Sequence, residues 1–208
     1  MNTLLGIPQI IKIKATSLLL LAIIFSGAVC AQIGTYQRKI ANGAYSVISF
    51  DKTGSKVNAE IFTWWNTHNG QMGYYAGTGI LKNNTCTLQS VENDPDCKVT
   101  LAMIGNKLNA KFSDCATDHL TEDFNGLYIK FTNAVAGDYL VTAAKAYFYK
   151  KPNATTKLKA YVLKGDKVTL DMDRIAASKN EWLYVYFTNK AGKETSGYIK
   201  MDDLKLVK

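Results

Sequence analysis

Short runs in which apolar and polar residues alternate are the feature that most constrains the fold of this chain. They start near residue 45, continue towards the C-terminus and are separated by turn residues at intervals of roughly 8 to 12 positions. Successive side chains of a β-strand point to opposite faces, so alternation with a period of two predicts half-buried strands. Hydrophobic residues make up 47% of the sequence, which is enough to fill a core. The sequence therefore predicts an all-β fold.

The first 31 residues differ from the rest and have the order of a secretory signal peptide. Two lysines precede an uncharged apolar run at residues 17–25, which is shorter than the roughly 20 residues that a membrane-spanning helix needs. Small residues at Val29 and Ala31 predict cleavage before Gln32, with export to the periplasm or the extracellular space. After cleavage we expect no integral membrane span. The alternative is a lipoprotein that is acylated on Cys30.

Asn69-Gly70 is the strongest short hairpin signal in the first half of the chain, because both central positions of a tight turn favour these residue types. If these two residues form the whole loop, aromatic side chains of the two strands face one another and stabilise the sheet. The pairs implied by this loop are Trp65 with Tyr74, Trp64 with Tyr75, and Phe62 with Gly77.

A second hairpin is predicted around Gly105-Asn106. A two-residue loop there places the apolar residues of both strands on one face, which supports the register. We therefore expect the first half of the chain to form an antiparallel meander, either a small barrel or a sandwich. The pairs implied by this loop are Met103 with Leu108, Leu101 with Ala110, and Val99 with Phe112.

Three cysteines follow the predicted leader, and an oxidising compartment would allow two of them to form a disulfide. Cys97 and Cys115 lie near the same end of the second hairpin and are the first choice, whereas Cys86 with Cys115 is the second. A nucleophilic cysteine needs a neighbouring base, and neither of the two histidines stands in a catalytic cysteine motif. We expect one structural disulfide and one buried thiol.

Composition changes near residue 136, within a linker-like segment at residues 132–138. Residues 32–136 hold nine basic and nine acidic residues, whereas residues 137–208 hold fourteen basic and eight acidic ones. We expect a signal peptide at residues 1–31 and two domains that meet at this change. The formal net charge of +8 favours acidic partners, and the second domain carries most of it.

The second domain contains an ordered set of landmarks. A strand precedes a proline turn, a second strand ends in Leu-Lys-Gly-Asp, a third is led by tryptophan, and a Gly-Tyr-Ile segment precedes a short closing turn. These segments read Ala146-Tyr147-Phe148-Tyr149-Lys150-Lys151-Pro152, Ala160-Tyr161-Val162-Leu163-Lys164-Gly165-Asp166-Lys167-Val168, Glu181-Trp182-Leu183-Tyr184-Val185-Tyr186 and Ser196-Gly197-Tyr198-Ile199-Lys200-Met201-Asp202-Asp203-Leu204.

This order resembles the bacterial SH3-like domain. The resemblance implies a small β-barrel that is exported and binds cell-wall peptide or glycan. Aromatic side chains would provide the contacts, by stacking on sugar rings and by hydrogen bonding through tyrosine hydroxyls. The alternative is that these side chains form the core of a small domain, which needs every large apolar group it has. The candidate ligand contacts are Tyr147, Tyr149, Trp182, Tyr184 and Tyr198.

The tryptophan-led strand alternates two apolar sets, of which one must pack inside the domain. The other set would then line a surface or an interface. The two sets are Trp182, Tyr184 and Tyr186 on one face, and Leu183, Val185 and Phe187 on the other.

No nucleophile and base stand at the spacing of a known catalytic motif, so we expect a protein that is not an enzyme. For the same reason we expect no cofactor, and no set of three or four zinc ligands is apparent. Lysines interleaved with tyrosines suit nucleic acid, but export argues against that partner. The sequence predicts a binding protein of the bacterial cell envelope, with a cell-wall polymer such as peptidoglycan or an envelope protein as its partner.

The alternative function is a protein–protein inhibitor or immunity protein that acts on a wall-degrading enzyme. Aromatic anchors dominate many protein interfaces, and the hairpin around Asn69-Gly70 carries four of them. The candidate protein contacts are Trp64, Trp65, Tyr74 and Tyr75.

Overall fold

The structure, a computed structural model, describes residues 32–91, 96–115, 119–178 and 181–207. The predicted signal peptide and the alternative acylation site, Cys30, lie outside the described residues. Within the described ranges, no helix is long and apolar enough to cross a membrane. Regular structure is almost entirely β, which confirms the predicted class.

Eight antiparallel strands close into a barrel in which each strand pairs with the next and the eighth returns to the first. The first half of the chain is therefore a barrel rather than a sandwich. The strands are β1 (Gly34–Lys39), β2 (Tyr45–Thr53), β3 (Lys56–Trp64), β4 (Met72–Ile80), β5 (Thr85–Ser90), β6 (Lys98–Ile104), β7 (Lys107–Ser113) and β8 (Gly126–Thr132).

Side chains fill the barrel, because eight strands enclose an interior just wide enough for them. Alternate residues of each strand point inwards, and on β3 these are Val57, Ala59 and Ile61. Their neighbours on the same strand face outwards, as the period of two requires. The largest buried side chains of the barrel core are Tyr36, Phe50, Tyr75, Phe112 and Tyr128.

The predicted two-residue loop between β6 and β7 is confirmed. Gly105 has a φ of +61°, a backbone conformation that glycine adopts at little cost. The apolar residues of both strands point into the barrel, as the predicted register requires. All three predicted pairs are present: Met103 with Leu108, Leu101 with Ala110, and Val99 with Phe112.

Cys97 and Cys115 form the predicted disulfide, with their Cα atoms 4.3 Å apart. They lie just beyond Lys98 and Ser113, the last pair of the β6–β7 ladder. Cys86 keeps its thiol and is buried in the barrel core, where burial raises its pKa. The second-choice pairing of Cys86 with Cys115 is therefore wrong.

The predicted register of the hairpin between β3 and β4 is wrong. The loop is not limited to two residues but runs from Trp65 to Gln71, and the Trp65 amide donates to the Gln71 carbonyl oxygen at 3.1 Å. The observed pairs are Phe62 with Tyr74, Trp64 with Met72, Ile61 with Tyr75, and Ala59 with Gly77.

Thr67 accounts for the wider loop. Its hydroxyl accepts a hydrogen bond from the Gln71 amide at 3.0 Å and donates to the Asn69 side chain at 2.6 Å. Tyr74 therefore pairs three residues away from the predicted partner. Successive side chains of a strand point to opposite faces, so a shift of three residues pairs each tyrosine of β4 with a β3 residue that points to the face opposite to that of the predicted partner. Tyr75 points into the barrel and Tyr74 points out.

The rest of the chain forms a second antiparallel sheet of seven strands, with short 3-10 turns at Ala154–Thr156, Met172–Ala177 and Met201–Asp203. The strands are β9 (Gly137–Val141), β10 (Lys145–Tyr149), β11 (Lys157–Leu163), β12 (Lys167–Leu170), β13 (Trp182–Thr188), β14 (Glu194–Lys200) and β15 (Leu204–Leu206). Their order in the sheet is β11-β10-β14-β13-β12-β9-β15.

The segment between β8 and β9 is hydrogen-bonded to the barrel. The Thr35 hydroxyl donates to the Ala134 carbonyl oxygen at 2.8 Å, and the Ala136 amide donates to the Ser49 hydroxyl at 2.8 Å. Both bonds tie residues 133–136 to strands of the barrel. The barrel and the second sheet form one compact unit.

A hydrophobic cluster joins the two sheets. Val47 and Phe62, on the outer surface of the barrel, pack in one cluster with Tyr139, Phe148 and Val185 of the second sheet. All five side chains are buried. Separating the two halves of the chain would therefore expose apolar surface on both, and binding experiments need the whole unit.

Candidate binding face of the second sheet

The outer face of the second sheet is rich in aromatic side chains. On β13, Leu183 and Val185 are buried, whereas Trp182, Tyr184 and Tyr186 are partly exposed. The aliphatic set is thus the one that packs inside. The predicted ligand contacts on this strand lie at the surface and are not the core of the module.

Five rings from three adjacent strands form what we call the aromatic platform. Tyr198 on β14 pairs directly with Tyr149 on β10 and with Tyr184 on β13, so the three side chains point to the same side. The ring centroids lie 5.1 Å apart in Tyr184–Tyr198 and 4.7 Å apart in Tyr149–Trp182, both edge to face. This geometry stabilises aromatic pairs. The platform comprises Tyr149, Trp182, Tyr184, Tyr186 and Tyr198.

Two cations border the platform. The Arg174 Nε donates to the Tyr186 hydroxyl at 3.1 Å, and this hydrogen bond raises the pKa of the guanidinium. The same guanidinium lies 5.8 Å from the centroid of the Tyr184 ring. The Lys200 Nζ lies 5.7 Å from the centroid of the Trp182 ring. Positive charge therefore stands beside the exposed rings.

Next to the platform, two tyrosines are covered by lysine ammonium groups. Tyr147 on β10 pairs directly with Tyr161 on β11, and their ring centroids are 5.8 Å apart. The Lys157 Nζ lies 3.4 Å from the Tyr147 centroid, and the Lys145 Nζ lies 3.6 Å from the Tyr161 centroid. A hydrogen bond with Lys145, together with the charges of both lysines, holds the pKa of Tyr147 below its ordinary value. We call these four residues the lysine–tyrosine cluster.

The structure brings together all five residues predicted as ligand contacts. Four of them belong to the platform, and Tyr147 belongs to the lysine–tyrosine cluster. The predicted ligand contacts omit Tyr186 of the platform, and also Tyr161 and the two lysines beside it. Lys145 and Tyr161 belong to the regular part of the β10–β11 ladder, whereas Lys157 pairs with Tyr149 beyond a register shift that follows Tyr147. Residue spacing along the chain does not reveal such a shift.

The four aromatic residues predicted as protein contacts do not form one surface. Tyr75 is 2% exposed and lies inside the barrel. The Trp65 indole donates to the His119 carbonyl oxygen at 2.9 Å, and Trp64 packs against the cluster between the two sheets. Tyr74 is 41% exposed.

Tyr74 borders a cleft of about 520 Å³ that also includes residues of the 3-10 turn at Met172–Ala177. Its hydroxyl donates to the Glu60 carboxylate at 2.9 Å. Asp171 and Asp173 line the same cleft. The pKa of Asp171 is raised, mainly because the carboxyl is partly buried and secondly because the negative charge of Asp173 is nearby. This cleft therefore has the opposite charge from the aromatic face.

In the described part of the chain, no group of three or more His, Cys, Asp or Glu side chains is arranged to hold a metal ion. No family model, no curated protein and no solved structure matches this chain.

Proposed function

We propose that this chain is an exported, non-catalytic binding protein of the bacterial cell envelope. Its second sheet acts as an SH3-like module that binds peptidoglycan or another wall polymer. The observation that carries the proposal is the aromatic platform, in which five partly exposed rings share one face of the sheet.

Partly exposed Tyr and Trp rings suit a ligand that has both apolar faces and hydroxyl groups. Each ring offers a large apolar surface and a polar tip that can form hydrogen bonds. The Tyr184 hydroxyl is part-buried and already forms a hydrogen bond with the Ser196 hydroxyl at 3.2 Å, which holds this ring in place on the platform. Sugar rings have the complementary chemistry. Because the platform spans three strands, it suits an extended polymer.

The order of the strands supports the SH3-like resemblance. The β10–β11 hairpin lies between β9 and β12 in the chain, and β12, β13 and β14 then follow as antiparallel neighbours. A 3-10 turn at Met201–Asp203 leads into the short β15, which pairs with β9. The first and last strands of the module, β9 and β15, are therefore neighbours.

Two observations support export. Residues 1–31 have the order of a signal peptide, with a basic region, an apolar run and small residues. Cys97 and Cys115 form a disulfide, and disulfides persist in oxidising compartments outside the cytosol.

Co-sedimentation of residues 32–208 with purified peptidoglycan sacculi tests the proposal. We expect the wild-type chain to pellet and Trp182→Ala to pellet much less, because the variant removes a ring of the platform. Tyr74→Ala is the matched control, since it removes an exposed ring elsewhere. A wild-type chain that stays in the supernatant at low salt would contradict the proposal.

A second candidate function, inhibition of a wall-degrading enzyme, is favoured by the acidic cleft. Met72 and Tyr74, at 53% and 41% exposed, stand beside carboxylates that would attract a basic partner. A cationic lysozyme is a suitable probe. If the cleft inhibits such enzymes, Tyr74→Ala and Glu60→Gln relieve the inhibition, whereas Trp182→Ala leaves it unchanged.

A further inference from the structure

Two ammonium groups converge on one ring in the lysine–tyrosine cluster. The Nζ atoms of Lys157 and Lys145 lie 3.4 Å and 5.0 Å from the centroid of Tyr147. Lys145 is also 3.6 Å from the centroid of Tyr161. Like charges held this close repel one another, and the attraction of each ammonium to the rings offsets part of that repulsion.

Neither ammonium group has a carboxylate as an ion-pair partner among the residues that the structure describes. Two other cations in this half of the chain do have one. Lys167 pairs with Asp138 at 2.7 Å, and Arg174 approaches Asp173 at 3.5 Å. The cluster therefore presents two uncompensated positive charges at the surface. An anionic group placed between them would interact with both.

The lysines also change what the neighbouring rings can do. An ammonium group over the face of Tyr147 or Tyr161 occupies the position that a stacked sugar would need. Tyr147 is two residues from Tyr149 on β10, which is about 7 Å along a strand. A site for negative charge and a platform for stacking thus lie side by side on the same face.

We propose that the ligand of this face is an anionic polysaccharide whose sugar rings lie on the aromatic platform while an acidic group binds between Lys145 and Lys157. This inference rests on the proposed function and adds the chemical class of the polymer. The lysine–tyrosine cluster makes binding selective for negatively charged polymers. The aromatic platform binds the sugar rings of charged and neutral polymers alike.

A pair of polymers with one backbone separates these two contributions. The probes are polygalacturonate and its methyl ester, in which the carboxylates are neutral, and the measurement is the affinity of residues 32–208 for each. We expect the wild-type chain to prefer the acidic polymer. The double variant Lys145→Gln/Lys157→Gln should lose that preference, with a roughly tenfold weaker affinity for the acidic polymer, because charge-assisted contacts are lost. Its affinity for the ester should not change.

The double variant Lys190→Gln/Lys193→Gln is the matched control. It removes the same charge at the exposed turn between β13 and β14 and should keep the preference for the acidic polymer. Equal losses in both double variants would contradict the inference, because only net charge would then matter. So would equal binding of the two polymers, or no binding of the acidic one, by the wild-type chain.

The two proposals fail in different ways. If charge selectivity is absent but Trp182→Ala weakens binding to both polymers, the anionic class is wrong and the aromatic platform still binds glycan. If the wild-type chain binds neither polymer and does not sediment with sacculi, both the inference and the proposed function are wrong.

Discussion

The rings of Tyr149 and Trp182 meet edge to face with their centroids 4.7 Å apart, although their strands are not neighbours in the sheet. β14 lies between β10 and β13, and the two side chains meet above it. Tyr198 on β14 pairs directly with Tyr149, so the contact extends one aromatic surface over three strands. Under the proposed function this surface would contact an extended ligand, and the buried core of the module lies on the other face of the sheet.

The platform should contribute more to binding than to folding. Trp182 is partly exposed, so Trp182→Ala should reduce the free energy of unfolding by only about 1 kcal/mol, the scale of an aromatic pair. Leu183, the next residue, is fully buried, and Leu183→Ala should cost about 3 kcal/mol. Urea denaturation of both variants measures the difference. Equal destabilisation would mean that Trp182 is a core residue.

The disulfide should stabilise the barrel. It joins residues that are 18 positions apart, and closing a loop of this length contributes about 3 kcal/mol. We expect Cys97→Ser to unfold at lower urea concentration and to lose its response to reducing agent. Cys86→Ala is the control, because it leaves the disulfide in place and should keep that response. A wild-type midpoint unaffected by reduction would rule out this role.

The two tyrosines of β4 test the register of the β3–β4 hairpin. Tyr75→Ala empties part of the barrel core and should cost about 3 to 5 kcal/mol, as for other large aromatic truncations. Tyr74→Ala removes an exposed ring and should cost under about 1 kcal/mol. Chemical denaturation distinguishes the two. The reverse order would support the narrower loop that the sequence predicts.

Stability should fall at alkaline pH. Burial raises the pKa of Tyr139 to about 12, compared with about 10 in an unfolded chain. The unfolded chain therefore loses its proton first, so this contribution to stability is complete below about pH 10 and is lost as the pH approaches 12. At neutral pH, Tyr139→Phe should cost about 1 kcal/mol, because hydrogen bonds to the Val135 backbone are lost.

Near about pH 11 the difference between Tyr139→Phe and the wild-type chain should shrink, since only the wild-type residue titrates there. Urea unfolding of both proteins at neutral and alkaline pH measures this change. A difference that stays constant with pH would show that the Tyr139 hydroxyl has the same pKa in the folded and unfolded chains.

Local signals in the sequence predict much of the barrel. The prediction of a two-residue loop at Gly105-Asn106 is confirmed. Apolar and polar residues alternate strictly in both flanking strands, so a single register buries all the apolar residues. The prediction of a two-residue loop at Asn69-Gly70 is wrong, because the hydroxyl of Thr67 stabilises a wider loop by hydrogen bonds to Asn69 and Gln71. A dipeptide signal for a tight turn does not contain that information.

The candidate site is predicted in part. Alternation along β13 separates Trp182 and Tyr184 from the buried set, and both lie on the observed face. Lys145 lies two residues before Tyr147 on β10, but the position of Lys157 depends on the register shift between Tyr147 and Tyr149 in the β10–β11 ladder. Contacts between strands with irregular pairing depend on tertiary structure, which periodicity along one strand does not specify.

The most direct test of the account is an NMR titration of ¹⁵N-labelled residues 32–208 with soluble peptidoglycan fragments. The chain contains three tryptophans, and their indole N–H signals report on separate places. We predict that the Trp182 signal and the amides of β10, β13 and β14 shift on binding, while the indole signals of Trp64 and Trp65 do not. Shifts confined to Trp64 and the amides near Tyr74, or no shifts at saturating concentration, would contradict it.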